Sequence, residues 1–384
     1  MTVFYWVFFG LAVFGIVAMS SAIYSLISHF NKKENTQRST QPLSVIVPIK
    51  GADKNTESNL KNLVNSVLES PVEYLFAMET KDDPAYSICR YIVESFPNKD
   101  ISVILTGLSK ELMGKQHNIK SAVLESKYDV IASMDADVVV SADTLNKGLV
   151  ALTSTKTGIV YCLPYYEGSG LSGGSLLKTY INNFYNIIFS YLHFYAKAPT
   201  IIGALWIMPK ELFIKCEADG RLSSTVSDDR ELGFATTEFG YKNTLLPITV
   251  KMPHEDLSLK EGINHLGKWF SMVRAEGLPV YILFLFLWNP LICSVISLLY
   301  AQSVSNEYTI WSIILIMSIL LLRSIGVFLL NSKIYKVPVY SNLAMTLVYD
   351  AVLFPVIFIM NLSKNTIEWK GKKYKLGKHG KILS

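Results

Sequence analysis

Residues 130–140 read VIASMDADVVV, an apolar run interrupted by Asp135 and Asp137 with one small residue between them. A carboxylate in such a run is costly to bury unless something positive meets it. Two carboxylates at a turn can offer hard oxygens to a divalent cation of the Mg²⁺ or Mn²⁺ type. Such an ion can clamp a diphosphate and stabilise it as a leaving group. A second acid pair, Asp228 and Asp229 in VSDDREL, stands where a helix should begin. A carboxylate there can take the proton of a hydroxyl nucleophile. Both pairs also have plainer readings. SADTL follows the first, so Asp-x-Asp is equally a capping turn, and the second pair suits an N-cap with favourable dipole placement.

These residues need a frame, and the preceding sequence supplies one. Strand-like runs LSVIVPI (43–49), VEYLFAM (72–78), ISVIL (101–105) and YDVIASM (128–134) alternate with helix-like stretches ending near Val67, Phe96 and Glu125. Nearly continuous apolar strands separated by helices predict a parallel sheet covered on both faces, in an α/β domain. Ligands in such sheets gather at the carboxyl ends of the strands, which is where Asp135 and Asp137 fall. Glu79, Asp82 and Asp83 follow the second strand at the same edge, and Lys50 follows the first. GKQHNIK (114–120) offers Lys115, Asn118 and Lys120 for phosphate or ribose contacts. Neither GxGxxG nor GxxxxGK[ST] follows the first strand, so dinucleotide-binding and P-loop readings fall away.

The rest of the chain points to a membrane. Of 384 residues, 50% are hydrophobic and the mean hydropathy is high, +0.31. Residues 3–28 carry no charge and are long enough to span the hydrocarbon core as a helix, an anchor that stays on rather than a cleaved signal. Three more apolar stretches cover roughly 278–300, 309–331 and 340–362. Lys32, Lys33 and Arg38 after the first helix place the following domain on the cytoplasmic side, and the lysine-rich tail 363–384 belongs there too, near anionic headgroups. Three full crossings between two cytoplasmic regions are impossible. One late segment must be re-entrant or interfacial, and 340–362, with Asp350 and Pro355, is the expected one. The expected organisation is an anchor over 1–30, a linker over 31–42, a catalytic domain over 43–260, an interfacial segment over 261–277, membrane helices over 278–362 and a basic tail over 363–384. The scattered Cys89, Cys162, Cys216 and Cys293 form no CxxC pair and fit a reducing compartment. The basic cluster sits beside a membrane segment and lacks an RNA-binding motif, which argues against nucleic acid as a partner.

In order and spacing, PIKG, DDPA, the Asp-x-Asp, GIVYCLPY (158–165), GALWIMPKEL (203–212) and SDDREL resemble family 2 glycosyltransferases, in particular their ceramide glucosyltransferase-like branch, which includes hopanoid-associated enzymes. KWFSMVRAEG (268–277), the late apolar cluster and WKGKKYKL fit as well, so the resemblance spans nearly the whole chain. It implies a GT-A fold and an inverting transfer of a sugar, glucose from UDP-glucose, to a lipid hydroxyl such as that of ceramide. By motif matching it implies a nucleotide-contacting role for Glu79 and for Asp82 and Asp83, diphosphate–metal acids at Asp135 and Asp137, and a general base at Asp229 beside Asp228. The family's last motif, Q/R-x-x-R-W, reads His265-Leu-Gly-Lys268-Trp269 in this chain. Lys268 keeps the charge to aid the leaving group but loses the bidentate fork of arginine. Trp269 is either an acceptor platform, as the resemblance suggests, or an interfacial anchor.

A lipid acceptor needs a route. Residues 180–206, YINNFYNIIFSYLHFYAKAPTIIGALW, either lie at headgroup level as amphipathic anchors gating a passage to Asp229, or form a long core helix packed on the sheet. His193 within them is a candidate acceptor contact, and His254 a weaker candidate for the metal or a phosphate. Two rival functions remain: transfer to a polyprenyl phosphate, which needs no base, and an inactive nucleotide-binding membrane subunit.

Overall fold

The computed structural model describes residues 1–32, 36–109, 113–167, 172–253, 256–369 and 371–383. Two units emerge. One gathers Lys32–Tyr165, Pro199–Pro253 and Gly380–Ser384; the other gathers Met1–Asn31, Tyr166–Ala198 and His254–His379.

The first unit is built on seven strands: β1 (Leu43–Pro48), β2 (Val72–Met78), β3 (Asp100–Leu105), β4 (Val130–Met134), β5 (Thr157–Tyr166), β6 (Leu205–Pro209) and β7 (Lys242–Met252), in the spatial order β3-β2-β1-β4-β6-β5-β7. β3, β2, β1 and β4 run parallel, with Val45 opposite Tyr74 on one side and Ala132 on the other. β6 then pairs antiparallel with β4 and β5, Ala132 facing Ile207 and Tyr161 facing Trp206. Leu43, Val45, Ile46 and Val47 of β1 and every residue of β4 are buried, which is why these strands read as unbroken apolar runs rather than alternating ones. Helix Gly114–Glu125 packs on β1 and β2, and helix Ala142–Leu152 packs on β6 and β7. Between β1 and β4 the strand order reverses, and α/β sheets open a ligand crevice beyond the carboxyl ends at such a point. The mostly parallel α/β sheet expected of a GT-A domain is thus present, with its antiparallel part falling in sequence beyond the runs from which the parallel sheet was read.

The second unit holds the apolar helices. Thr2–Phe30, Asn306–Tyr335 and Asn342–Met360 are each long and apolar enough to cross a membrane. Residues 342–360 form a continuous helical span, whereas helices Leu278–Trp288 and Pro290–Ala301 meet at an 83° bend. Asn289 explains the break: it precedes proline, a position that disfavours helix, and its side chain caps the next helix by accepting from the Ile292 amide at 3.2 Å.

Asp350, an acid inside an apolar helix, has a partner in the fold. Asp350 is buried but bonded at two oxygens to Arg323, with Nε–Oδ2 at 2.7 Å and Nη2–Oδ1 at 3.1 Å. Arg323 also donates to the Asn183 carbonyl. Asn183 meets Asn331 and Thr346, and Asn331 meets Asn342, so the polar groups satisfy one another away from lipid. Asn183, Asn331 and Asp350 each sit in a π-helical turn (181–185, 330–335 and 349–353), where the widened helix turns these groups toward one another.

Residues 166–198 were expected inside one continuous 43–260 domain but join the apolar unit. Helices Gly173–Tyr180 and Asn186–Phe194 form most of this insertion, and the second packs against Thr2–Phe30, with Tyr195 Oη 2.7 Å from Ser25 Oγ. The run 180–206 is therefore split: its helical part packs on the anchor helix, and its end becomes β6. Residues 261–277 belong to helix Leu259–Ala275, opened by a Ser258–Glu261 capping box. That helix passes close to Gly173, where a Cβ on Gly262 would lie 2.7 Å from the Gly173 Cα. Of the basic tail, Thr366–Trp369 and Lys372–Leu376 form an antiparallel hairpin.

Candidate active site

The carboxyl edge of the sheet collects the charged residues from four places in the sequence. β4 ends at Met134, and Asp135 and Asp137 occupy the turn beyond it. The Val138 amide bonds the Asp135 carbonyl at 3.1 Å, and the Asp135 amide bonds Ala204 O at 3.1 Å. This turn is not a helix cap, because Ser141 caps the following helix by accepting from the Thr144 amide at 3.2 Å. Val139 then pairs with Lys251 of β7, locking the far side of the turn.

The positive partner of Asp135 is Lys115, whose Nζ lies 2.6 Å from Oδ1. Lys115 is the second residue of the helix Gly114–Glu125. Burial pushes its ammonium down, but the carboxylates of Asp135, Asp228 and Asp229 outweigh that and hold its pKa raised. One lysine therefore sits in the field of both acid pairs.

Asp228 and Asp229 open the helix Asp228–Glu238, with Ser227 before them as N-cap, so neither acid is itself the cap. Gln116 Nε2 donates to Asp228 Oδ2. Burial, reinforced by the neighbouring Asp228 charge, raises the Asp229 carboxyl to about 7, against the opposing pull of the Arg230 amide, Lys115 and the Gly203 amide. Arg230 N–Oδ1 is 2.8 Å. Gly203, just before β6, leaves room for this carboxylate: a Cβ there would stand 3.3 Å from Asp229 Cβ. Gln116 and Gly203 escaped the sequence reading; the signal for Gly203 was its place two residues before an apolar strand in GALWIMP.

At the ends of β1 and β2 the geometry sorts the remaining candidates. Lys50 Nζ approaches Glu79 Oε2 at 3.6 Å. Asp83 binds the Gly51 amide at 3.0 Å through either oxygen and the Ala85 amide at 2.9 Å, so its carboxylate clamps the loop after β1 to the helix after β2. Gly51 has φ +76°, a conformation that keeps its amide available to that clamp. Asp82 is exposed beside it. Asn118 is buried and ties loops together, accepting from Thr106 Oγ1 at 2.7 Å and donating to Ile49 O at 3.5 Å. Lys120 turns instead to Glu217, at 4.0 Å.

Lys268, Trp269 and His193 belong to the apolar unit. Trp269 stacks on Tyr180 with centroids 5.1 Å apart, and His265 lies 4.8 Å from its ring. His193 packs edge-on to Phe194, and burial, with His29 and Lys197 nearby, pushes its imidazole down to about 4, so it is neutral at physiological pH. His254 lies outside the described residues.

Among the described residues no three His, Cys, Asp or Glu side chains converge as a closed metal site. Two carboxylates are a set that suits Mg²⁺ or Mn²⁺, which complete their shells from substrate phosphates and water, so the residues present fit such an ion.

Comparison with known proteins gives the family. The profile of glycosyl transferase family 21 matches residues 11–382. Ceramide glucosyltransferase 3 of Caenorhabditis elegans is 23% identical over 386 residues, covering 98% of this chain and 80% of the worm protein. Ceramide glucosyltransferase 1 of the same organism is 22% identical, covering 96% and 78%. Among solved structures, a mannosyltransferase from Pyrobaculum calidifontis in complex with GDP-Man and Mn²⁺ is 16% identical with a TM-score of 0.46, over 83% of this chain and 98% of that one. The expected ceramide glucosyltransferase-like family is thus borne out. With its profile running from the anchor helix to the last strand, the chain belongs to glycosyl transferase family 21 and is a glycosyltransferase.

Proposed function

We propose that the protein transfers glucose from UDP-glucose to a hydroxyl of a membrane lipid of the ceramide class, with inversion at the anomeric carbon, on the cytoplasmic side of the membrane. The observation that carries this reading is Asp229: a half-buried carboxyl raised to about 7, next to Asp228 and in the field of Lys115. A base works best when its pKa lies near the working pH, and burial beside a like charge produces that.

The chain's residues divide the work. Asp229 takes the proton of the acceptor hydroxyl as the acceptor oxygen bonds to the anomeric carbon. On the opposite face the bond to the diphosphate oxygen breaks, and its electron pair departs with UDP. Gln116 orients Asp228, and Gly203 and the Arg230 amide orient Asp229. Lys115 balances the acids before substrate arrives and is well placed to meet a phosphate afterwards. Asp135 and Asp137 would hold a Mg²⁺ or Mn²⁺ ion, which supplies charge neutralisation for the leaving diphosphate. Lys50 and Glu79, with Asp82 exposed nearby, supply polar contacts for the nucleoside, and Asp83 and Asn118 shape the loops around it. Lys268 and Trp269 are assigned to the leaving group and the acceptor, and His193, neutral, to the acceptor route.

The lipid acceptor is supported by the names of the two worm relatives and by the three helices able to span a membrane. The cytoplasmic side is supported by Lys32 and Arg38 after the first span and by the lysine-rich tail.

The test is a transfer assay on purified protein in lipid nanodiscs, with a panel of UDP- and GDP-sugars, ceramide, and Mn²⁺ or Mg²⁺. The expected product is lipid-linked glucose from UDP-glucose alone, lost with EDTA and with Asp229→Asn. Absence of both transfer and donor hydrolysis with every sugar overturns the reading. Transfer to a polyprenyl phosphate that survives Asp229→Asn would replace the acceptor assignment.

A further inference from the structure

The segment that delivers Asp228 and Asp229 is held by residues 380–382. Residues 222–227 lead into the helix without secondary structure of their own to fix them. From upstream, Glu217 accepts from the Leu222 amide at 2.9 Å and from Ser223 Oγ, and the Met113 amide bonds Ser223 O at 3.0 Å. Further bonds come from residues 380–382. Gly380 O accepts from the Val226 amide at 3.1 Å and from Thr225 Oγ1 at 3.0 Å, across 155 residues of sequence. The Ile382 amide donates to Ser224 O at 2.9 Å, and Thr225 pairs with Lys381 as an antiparallel bridge. Thr225 Oγ1 passes the restraint on by accepting from the Ser227 amide at 3.1 Å. Ser227 is the N-cap, and its carbonyl accepts from the Glu231 amide at 3.1 Å.

Two further features show that the contact is built. Gly380 and Ile382 are buried. Gly380 also has φ +72°, and a Cβ there would meet Ser227 Oγ at 2.7 Å and Thr225 Oγ1 at 3.3 Å. The position demands glycine twice, for conformation and for room. Lys381, by contrast, is exposed and contributes its backbone.

We infer that residues 380–382 are a positioning strap for the general base: they fix the N-terminus of helix Asp228–Glu238 and so the placement of Asp229. The inference rests on the proposed function, since it assigns the strap a role in that same site. Releasing the strap leaves the acids in the chain but lets the helix start drift. Misplacement of a catalytic group by about 1 Å costs on the order of 10²-fold in rate.

The test compares full-length wild type, Gly380→Val, a deletion of residues 380–384 and Lys381→Ala in nanodiscs, using UDP-glucose and ceramide. Hydrogen exchange of the amides of 222–232 and the melting temperature are read alongside. Gly380→Val and the deletion are expected to lower kcat on the order of 10²-fold, to leave the KM for UDP-glucose within about threefold, and to speed exchange in 222–232 without changing the melting temperature. A synthetic HGKILS peptide is expected to restore part of the deletion variant's kcat, and Lys381→Ala to behave as wild type. Unchanged kcat in both strap variants overturns the inference while leaving the transferase reading intact. So does a fall in kcat accompanied by an equal loss of global stability without peptide rescue, the mark of a structural staple. A wild-type protein without transferase activity overturns both.

Discussion

Lys115 Nζ stands 2.6 Å from Asp135 Oδ1, joining the helix after β3 to the end of β4. This pair places a cation where the acids of two separate loops would otherwise repel one another, and it answers the cost of two aspartates at the end of an apolar strand. Lys115→Met leaves Asp135, Asp228 and Asp229 facing each other uncompensated. We expect kcat/KM for UDP-glucose to fall by about 10²-fold, and Lys115→Arg not to restore it, because the planar fork replaces a compact point charge. Steady-state kinetics with both variants checks this.

The metal assignment makes a separate prediction. Asp137→Asn removes one of two carboxylates from a site that has no third protein acid among the described residues. The Mn²⁺ concentration needed for half-maximal transfer should rise by about tenfold or more, equivalent to at least roughly 1.4 kcal/mol of binding free energy. Metal titration of the purified variant reads it. An unchanged metal requirement would move the ion elsewhere.

Asp229 also leaves a mark on stability. Its carboxyl is raised from 3.8 to about 7, so between these values the folded state holds a proton that the unfolded state has lost. Stability from this group is therefore full below the unfolded pKa and declines as pH rises through the folded one, the reverse of an ion-paired aspartate. Asp229→Asn removes the penalty. The melting temperature of the variant should exceed that of wild type at neutral pH, with the gap closing toward pH 4. Parallel melts across that range check the sign.

In the apolar unit the buried pair Arg323–Asp350 predicts asymmetric costs. Asp350→Ala strands the guanidinium and should destabilise by about 3–5 kcal/mol, whereas the double replacement Arg323→Met with Asp350→Leu should cost much less. Unfolding in mixed micelles measures both.

How much of this was legible beforehand follows from the kind of signal each part carries. β1, β2 and β4 announced themselves because strands buried on both faces read as unbroken apolar runs, and the acids at their ends followed from the sheet rule. The split of residues 166–198 was not legible: helix Asn186–Phe194 is apolar enough to suit either a sheet or a membrane helix, and only its packing on Thr2–Phe30 decides. The partner of Asp350 was not legible because Arg323 lies 27 residues earlier, on another helix. The 83° bend at Asn289–Pro290 follows a dipeptide that signals a break but was hidden inside an apolar run of spanning length. The bonds from Gly380 to Thr225 and Val226 had no local signature beyond one glycine near the end of the chain.

The central claim is that Asp229 removes the acceptor's proton, and single-turnover transfer tests it most directly. Pre-bound UDP-glucose and metal would be mixed with ceramide nanodiscs, and the rate followed across neutral pH for wild type and Asp229→Asn. The account predicts a wild-type rate rising with pH to a plateau above about 7, and a variant slower by on the order of 10²–10⁴-fold with no such rise, at unchanged UDP-glucose affinity. A variant that transfers glucose within a few-fold of wild type would contradict it and assign the proton to another group.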